Sequence, residues 1–575
     1  MVATTPSWLT LDSEGGATQY WVDPTAGSDS NDGLSIGAPK ATLAAAIGAA
    51  TDNSYTIFNL KRGEVFPETI TLTKGGSSET SPFAFRAYGS GARPQLQSSG
   101  TPMTIGTDAD NCLFRSVAFW PASWALNDAP ATGGNAIRCR DYAFTNLYFE
   151  DCEFAGYETQ INRGAAAGTN FVARGCVFRE GIYPLTIGET AGVLVEYCLF
   201  DDVNHNGGGP TPHWLYLQDS NSGTQSYENN IFTRGNEVAG GVEHRGDGSI
   251  GYNNLFHDMD QGIWCGDTSS SETERVFYVR YNVFDGLRAD GNRAVVVQSC
   301  GDDTVWSELN DNLVCHRATS SVGREMFSLR VAVALGVRKM QLYRNVVGGG
   351  VDEAQAFNVS GGTTEDIDLR ENRVSVLGLA ACVISMSTNL STVLSQDNQY
   401  FTDQSGTNRF SLNGTGVDIS GYLSTLGDPT SGGSASVFSD PSFTDDTRSS
   451  LTYRDMVEST SGSTTADLVA SIMAAMSFDA WDEDYSAVAI NDWIRAGFDM
   501  PALADSGEVD ATAAMTAPAG SMAATVDVTP VIAGTAAMTA PAGSMAATVH
   551  VGAVPAPPPK AAISAYLTFL SRMLT

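Results

Sequence analysis

The sequence predicts an all-β solenoid, a chain wound into stacked coils of short parallel strands, and three observations carry that prediction. Seven asparagines recur at one position of a loose repeat: Asn230, Asn254, Asn282, Asn312, Asn345, Asn372 and Asn398, at intervals of 24, 28, 30, 33, 27 and 26 residues. Each is followed two residues later by an apolar or aromatic side chain: Phe232, Phe256, Phe284, Val314, Val347, Val374 and Tyr400. The 59 glycines and 17% charged residues of this 575-residue chain suit a turn-rich β protein. A period of this size, with length variation outside a shared core, marks one coil per repeat. The recurring asparagine is expected to form a corner. It tolerates left-handed backbone between two short strands, and its amide can bond the asparagines above and below.

Upstream, cysteine takes the same slot. Cys152, Cys176 and Cys198 precede Phe154, Phe178 and Phe200 by two residues, and Val117 with Phe119 marks one coil earlier. No C-x-x-C pair is present, so these thiols read as small groups packed inside the coil rather than as a metal or redox site. The rod is expected to run from about residue 95 to about 405, some eleven coils. At a rise of about 4.8 Å per coil it would be on the order of 50 Å long.

The ends are assigned in order. Residues 1–18 read as a polar arm, and residues 19–94 as an N-terminal cap with the first coils. This opening comprises Tyr20-Trp-Val-Asp23, a turn-rich Gly27 to Gly33, and Pro39 to Leu43 leading into Ala44-Ala-Ala46. It is similar to the start of proteins of the pectate-lyase-like superfamily. That resemblance covers roughly residues 19–405 and implies a right-handed single-stranded parallel β-helix whose first coil is plugged by a short alanine-rich helix. It is silent on activity.

Residues 406–505 are expected to close the rod. The stretch 406–462 reads as irregular, whereas Ala466, Leu468, Val469, Ile472, Met473 and Met476 show helical spacing. A second helix runs from Ala487 to Ala496, stopped by Gly497. These helices are expected to cap the last coil or to pack on a neighbouring subunit. Residues 506–560 form a low-complexity tail in which Thr512–Val526 recurs unchanged at Thr535–Val549. Small residues around Pro-Ala-Gly cannot build a core alone. Residues 561–575 read as an amphipathic docking helix with Ile563, Tyr566, Leu567, Leu570 and Leu574 on one face.

Composition excludes several classes. A formal net charge of −33 argues against nucleic acid or an anionic membrane surface as partner. No apolar run approaches the ~18 residues a membrane span needs. Met1 to Thr10 has neither the basic nor the apolar region of a secretory signal, and the nine cysteines suggest no disulfide framework, so assembly in a reducing cytoplasm is expected. The acidic turn Asp29, Asn31, Asp32 misses calcium-loop spacing. No cofactor and no metal are expected, because the sequence has no nucleotide-binding glycine loop and no H-E-x-x-H helix.

Chemistry concentrates in the middle. His205, His213, His244 and His257 fall within 53 residues, and strands of similar type lead into the acidic turns at Asp219, Asp247, Asp267 and Asp302. Coil stacking would place such carboxylates about 5 or 10 Å apart, bracketing the separations used by retaining and inverting glycosidases. Gly-Asp is also ordinary turn chemistry between strands. The candidate catalytic residues are Asp219, Glu243, His244, Arg245, Asp247 and Asp267. Trp214, Tyr216 and Trp264 are the candidate glycan-binding surfaces, since aromatic faces suit sugar rings.

The whole arrangement of acidic rod, duplicated tail and terminal peg resembles bacteriophage β-helix proteins of the tailspike, fibre and head-decoration kind. That resemblance implies a homotrimer assembled in the host cytoplasm into the virion and joined to capsid or tail proteins through its C-terminal tail. It also implies recognition of host cell-surface polysaccharide, with glycan-degrading activity left open. The alternative is a stand-alone bacterial polysaccharide lyase or glycoside hydrolase.

Overall fold

The computed structural model describes residues 5–503 apart from 127, 140, 165–167, 189, 203–212, 218–224, 236–239, 246–247, 267–275, 289–292, 298–304, 317–323, 331–336, 350–353, 361–363, 378–382, 388–389, 404–408 and 431–432. Its strands form three sheets of 14 strands each, and along the rod each strand pairs with the one three places on in the chain. Among the described residues the pairing is parallel, broken only where Phe410–Leu412 meets Thr415–Val417 antiparallel. A chain that visits three sheets in turn, always parallel, is a parallel β-helix.

The first sheet starts at Thr18–Val22, the second at Val65–Phe66 and the third at Ile70–Leu72. The second sheet ends only at Val437–Phe438. The coils therefore extend beyond the eleven read from the repeat, into the 19–94 stretch assigned to the cap and first coils and past residue 405. The earliest ones escape that reading because Phe66, Leu96 and Phe119 pair in register, while the slot two residues before the first two holds Glu64 and Pro94 rather than asparagine or cysteine.

The corner differs from expectation in one respect. The left-handed residue is not the recurring asparagine but the one before it: Asn229, Asn253, Tyr281, Asp311, Arg344, Glu371 and Asp397, with Asp151, Gly175 and Tyr197 in the cysteine coils. The turn thus tolerates almost any side chain, and the asparagine is used for its amide. Each Oδ1 from Asn254 to Asn398 accepts both the backbone N–H and the Nδ2–H of the preceding coil's asparagine, at 2.9–3.1 Å. Each Nδ2 also donates to a main-chain carbonyl, as Asn254 does to Tyr227 at 3.1 Å and Asn312 to Val279 at 2.9 Å. In the cysteine coils a thiol does this second job. Cys152, Cys176 and Cys198 donate to the carbonyls of Phe114, Phe149 and Ala173 at 3.3–3.4 Å. The ladder ends on Ser436 Oγ, which serves Asn398 at 3.2 Å.

Inside the coil the aromatic residues two places on stack face to face. Phe119, Phe154, Phe178, Phe200, Phe232, Phe256 and Phe284 form a column with centroids 4.7–5.0 Å apart. That distance is the coil rise itself, so identical rings in register have little choice but to stack.

Both ends of the core are covered by helices. Helix α1 (Leu43–Ala49), N-capped by Thr42, buries Leu43, Ala46 and Ile47 against the first coils. Helix α2 (Ile419–Leu426), N-capped by Asp418, buries Tyr422 and Leu426 at the last coils. It lies in a stretch whose composition reads as irregular.

The two predicted helices, together with one that forms in the stretch expected to be irregular, lie elsewhere. Helix α3 (Ser450–Glu458), which was not predicted, and the predicted α4 (Thr465–Ala475) and α5 (Ala487–Gly497) lie along the flank of the same chain's rod, on the second sheet. That sheet's outer face carries the apolar row Val177, Leu199, Ile231, Leu255, Val283, Leu313 and Val346, which Leu468, Ile472, Ile490, Ile494 and Phe498 help cover. An apolar row of that length is not left to water. The fully buried Arg495 donates to the Asp311 carbonyl at 2.7 Å, and Asn491 Nδ2 to Asn253 Oδ1 at 2.9 Å. The N-terminal arm likewise packs Leu9 and Leu11 on the first sheet's outer residues Leu113, Tyr148 and Val172. Its Trp8 meets Phe478 edge-on at 5.3 Å. The tail and the docking helix lie outside the described residues.

Candidate functional site

The outer face of the third sheet brings together the described part of the predicted site. Strands His213–Leu217, Gly240–His244 and Gln261–Cys265 come from three successive coils, and their register aligns Tyr216 with Glu243 and Glu243 with Trp264. Leu215, Val242 and Ile263 point into the core on the same strands, so alternation sends the aligned trio outward.

Glu243 is the centre of this group and only 5% exposed. Its Oε1 accepts from Arg245 Nε at 2.6 Å, and its Oε2 lies 2.5 Å from His213 Nε2. Burial pushes this carboxyl up, but the hydrogen bonds and charges of His213 and Arg245 outweigh it and hold Glu243 below the usual carboxylate range. Tyr216 is flanked on the same face, with the Arg245 guanidinium 5.0 Å from its ring centroid and the His213 ring at 5.6 Å. Trp264 is half-buried, and among the described residues none lays a ring or a cation over it.

Glu243 and Arg245, two of the predicted catalytic residues, are therefore in direct contact. Both carboxylate oxygens are already bonded and the group stays ionised, which suits an acceptor of hydrogen bonds and not a general acid. His244 occupies the strand position paired with Leu217 and Cys265, both buried. Asp219, Asp247 and Asp267 lie outside the described residues.

Trp214 does not belong to this face. It is 1% exposed and stacks on Phe232 of the core column at 5.5 Å. The pattern fails because Trp214 and Leu215 are both buried in a strand that should alternate. Gly235 leaves the room, since a Cβ there would come within 2.7 Å of the Trp214 ring. His213 is the partner that the predicted site omitted, although it stood within the histidine group of the sequence.

A second cluster sits at the other corner of the coil, under the helices. Asp285 is buried, with Oδ1 2.8 Å from His316 Nδ1 and Oδ2 3.2 Å from His257 Nδ1. Oδ2 also accepts from Ser450 N at 2.7 Å and Ser450 Oγ at 2.5 Å, at the start of α3. His257, Asp285 and Cys315 are in register on three successive coils. Away from both clusters, a shallow groove of about 500 Å³ lies between the N-terminal arm and the first sheet, lined by Trp8, Leu9, Tyr148 and Asn170.

No family model and no curated protein matches the chain. Among solved structures it is similar to a rhamnogalacturonan lyase, at 13% identity and a TM-score of 0.37 over 65% of this chain and 86% of that one. It is also similar to the pectate lyase Pel9A, at 14% identity and 0.30 over 66% and 79%. The Dettilon tailspike protein aligns at 11% identity and 0.30 over 67% and 68%. The fold assignment rests on the sheet topology, and these distant likenesses add no site, substrate or assembly to it.

Proposed function

We propose that this chain is the glycan-binding rod of a bacteriophage appendage. The third sheet's outer face holds a host-surface polysaccharide, with Trp264 stacking on a sugar ring while Arg245, held in place by Glu243, bonds its hydroxyls. The observation that carries this reading is a half-buried tryptophan in register with a carboxylate that is ionised and bonded through both oxygens. Such a pair binds sugars well and serves poorly for protonating a glycosidic oxygen. Attachment to other virion proteins through the duplicated tail and the Ile563, Tyr566, Leu567, Leu570 and Leu574 face, and assembly as a homotrimer, belong to the same proposal. They are supported by the sequence alone.

The test incubates the full chain with polysaccharides from candidate host surfaces and reads both binding and products. The reading expects saturable binding with no new reducing ends and no unsaturated products. Turnover without the rest of a particle would favour the stand-alone lyase or hydrolase instead. A chain lacking residues 505–575 should bind glycan as well as the full chain yet fail to join its parent particle. Incorporation of that truncated chain at normal copy number would overturn the attachment half.

A further inference from the structure

We propose that Cys315, His316 and Asp285, with His257 holding the far oxygen of the Asp285 carboxylate, form a binding site for one zinc-like transition-metal ion that fastens the C-terminal helices to the rod. The three ligands are one thiol, one imidazole and one carboxylate, a set that suits such an ion and leaves its fourth position to water. They meet His257 on three successive coils because His257, Asp285 and Cys315 share one register row. One ligand atom each of Asp285, Cys315 and His316 lies within 4.8 Å of the other two. Cys315 Sγ stands 3.9 Å from Asp285 Oδ1. Tetrahedral bonds of 2.0–2.3 Å require ligand atoms about 3.5 Å apart. The His316–Asp285 contact must therefore open, and the Cys315–Asp285 contact close, by well under 1 Å.

The distal nitrogens supply the second, independent observation. Both imidazoles turn Nδ1 toward the carboxylate and hold Nε2 to the helical segment, His316 to the Asp446 carbonyl at 2.8 Å and His257 to Thr465 Oγ1 at 3.1 Å. Metal-bound histidines are oriented in this way, with the far nitrogen donating to an outer partner. Without metal, protons hold the same groups together. Metal uptake releases the thiol proton and the proton that His316 Nδ1 shares with Asp285, while His257 keeps its bond to the far carboxylate oxygen. Asp285, Cys315 and His257 are buried, while the His316 side chain is 22% exposed and gives the ion a way in. Because Asp285 also accepts from Ser450 at the head of α3, the ion would join two successive coils to the helices at one point. The site shares no residue with the third-sheet face, so it stands or falls apart from the glycan reading.

The test titrates the full chain with Co²⁺, whose absorption reports tetrahedral geometry and thiolate ligation. The expected result is one equivalent per chain with a sulfur-to-cobalt charge-transfer band, bleached by Zn²⁺. Cys315→Ser should lose that band, and His257→Asn should weaken binding by about tenfold or more. Absence of stoichiometric uptake overturns the proposal, as does a band that persists in Cys315→Ser. If Cys315→Ser does not fold, His257→Asn decides alone: unchanged affinity overturns the site.

Discussion

Asn254 directs two donors at one oxygen, its backbone N–H and its Nδ2–H each reaching Asn282 Oδ1 at 2.9 Å. The same Nδ2 also bonds the Tyr227 carbonyl. One amide therefore closes its own corner and locks it to the next coil, and repetition from Asn230 to Asn398 makes a continuous buried seam.

Removing one rung of that seam should be costly. In Asn282→Ala, the Asn254 donors lose their acceptor, and the Gly251 carbonyl and Asn312 Oδ1 lose a donor. Each buried unpaired group costs about 1–3 kcal/mol, so urea denaturation should show a loss of at least about 3 kcal/mol. Asn282→Cys should cost less, because a thiol already bonds the equivalent carbonyl in the Cys198 coil.

The residue before each asparagine should behave in the opposite way. Glu371 is exposed and left-handed at φ 54°, a conformation that costs an ordinary side chain roughly 1–2 kcal/mol. Glu371→Asn should stabilise the rod by about 0.5–1 kcal/mol, while Asn372→Gly destabilises it. The reverse ranking in thermal melts would mean the corner is misassigned.

The two tryptophans of the glycan reading should separate cleanly. Trp214→Ala empties a core position and should cost about 3–5 kcal/mol. Trp264→Ala removes a half-buried surface ring and should change stability by less than about 1 kcal/mol. Only the second should reduce polysaccharide affinity at unchanged fold, as read by circular dichroism beside a binding titration.

Acid should act through Glu243. Its folded-state pKa is depressed, so the stability it contributes is present in full above the ordinary glutamate value of about 4.3 and is lost as pH falls through the depressed one. Melting temperatures of the wild-type chain and Glu243→Gln should converge below that value and separate above it. A constant gap across pH 3–7 would contradict the assignment.

The coil was legible because its period is written in two residue types, asparagine at the corner and phenylalanine two places on. The repeat does not reach the earliest coils, since Glu64 and Pro94 carry no such mark, and these were placed in 19–94 only through the resemblance of the opening. The flanking position of α4 and α5 was hidden for another reason. Helical spacing reports that a face is apolar but not what covers it, and the complementary row from Val177 to Val346 looks like core in a one-dimensional reading. Of the candidate site, Glu243, Arg245, Tyr216 and Trp264 follow from strand alternation. Trp214 breaks that rule through the space left by Gly235, a contact between different parts of the coil that no local pattern records. Asp285, Cys315 and His316 went unnoticed because their convergence depends on register across some thirty residues per coil.

The measurement that bears most directly on the account is a titration of the full chain with host-surface polysaccharide, followed by tryptophan fluorescence and repeated with Trp264→Phe and with the Glu243→Gln, Arg245→Gln pair. The account predicts a saturable fluorescence change in the wild-type chain that Trp264→Phe abolishes, and an affinity at least about tenfold weaker in the paired variant. Undiminished binding in both variants would contradict it.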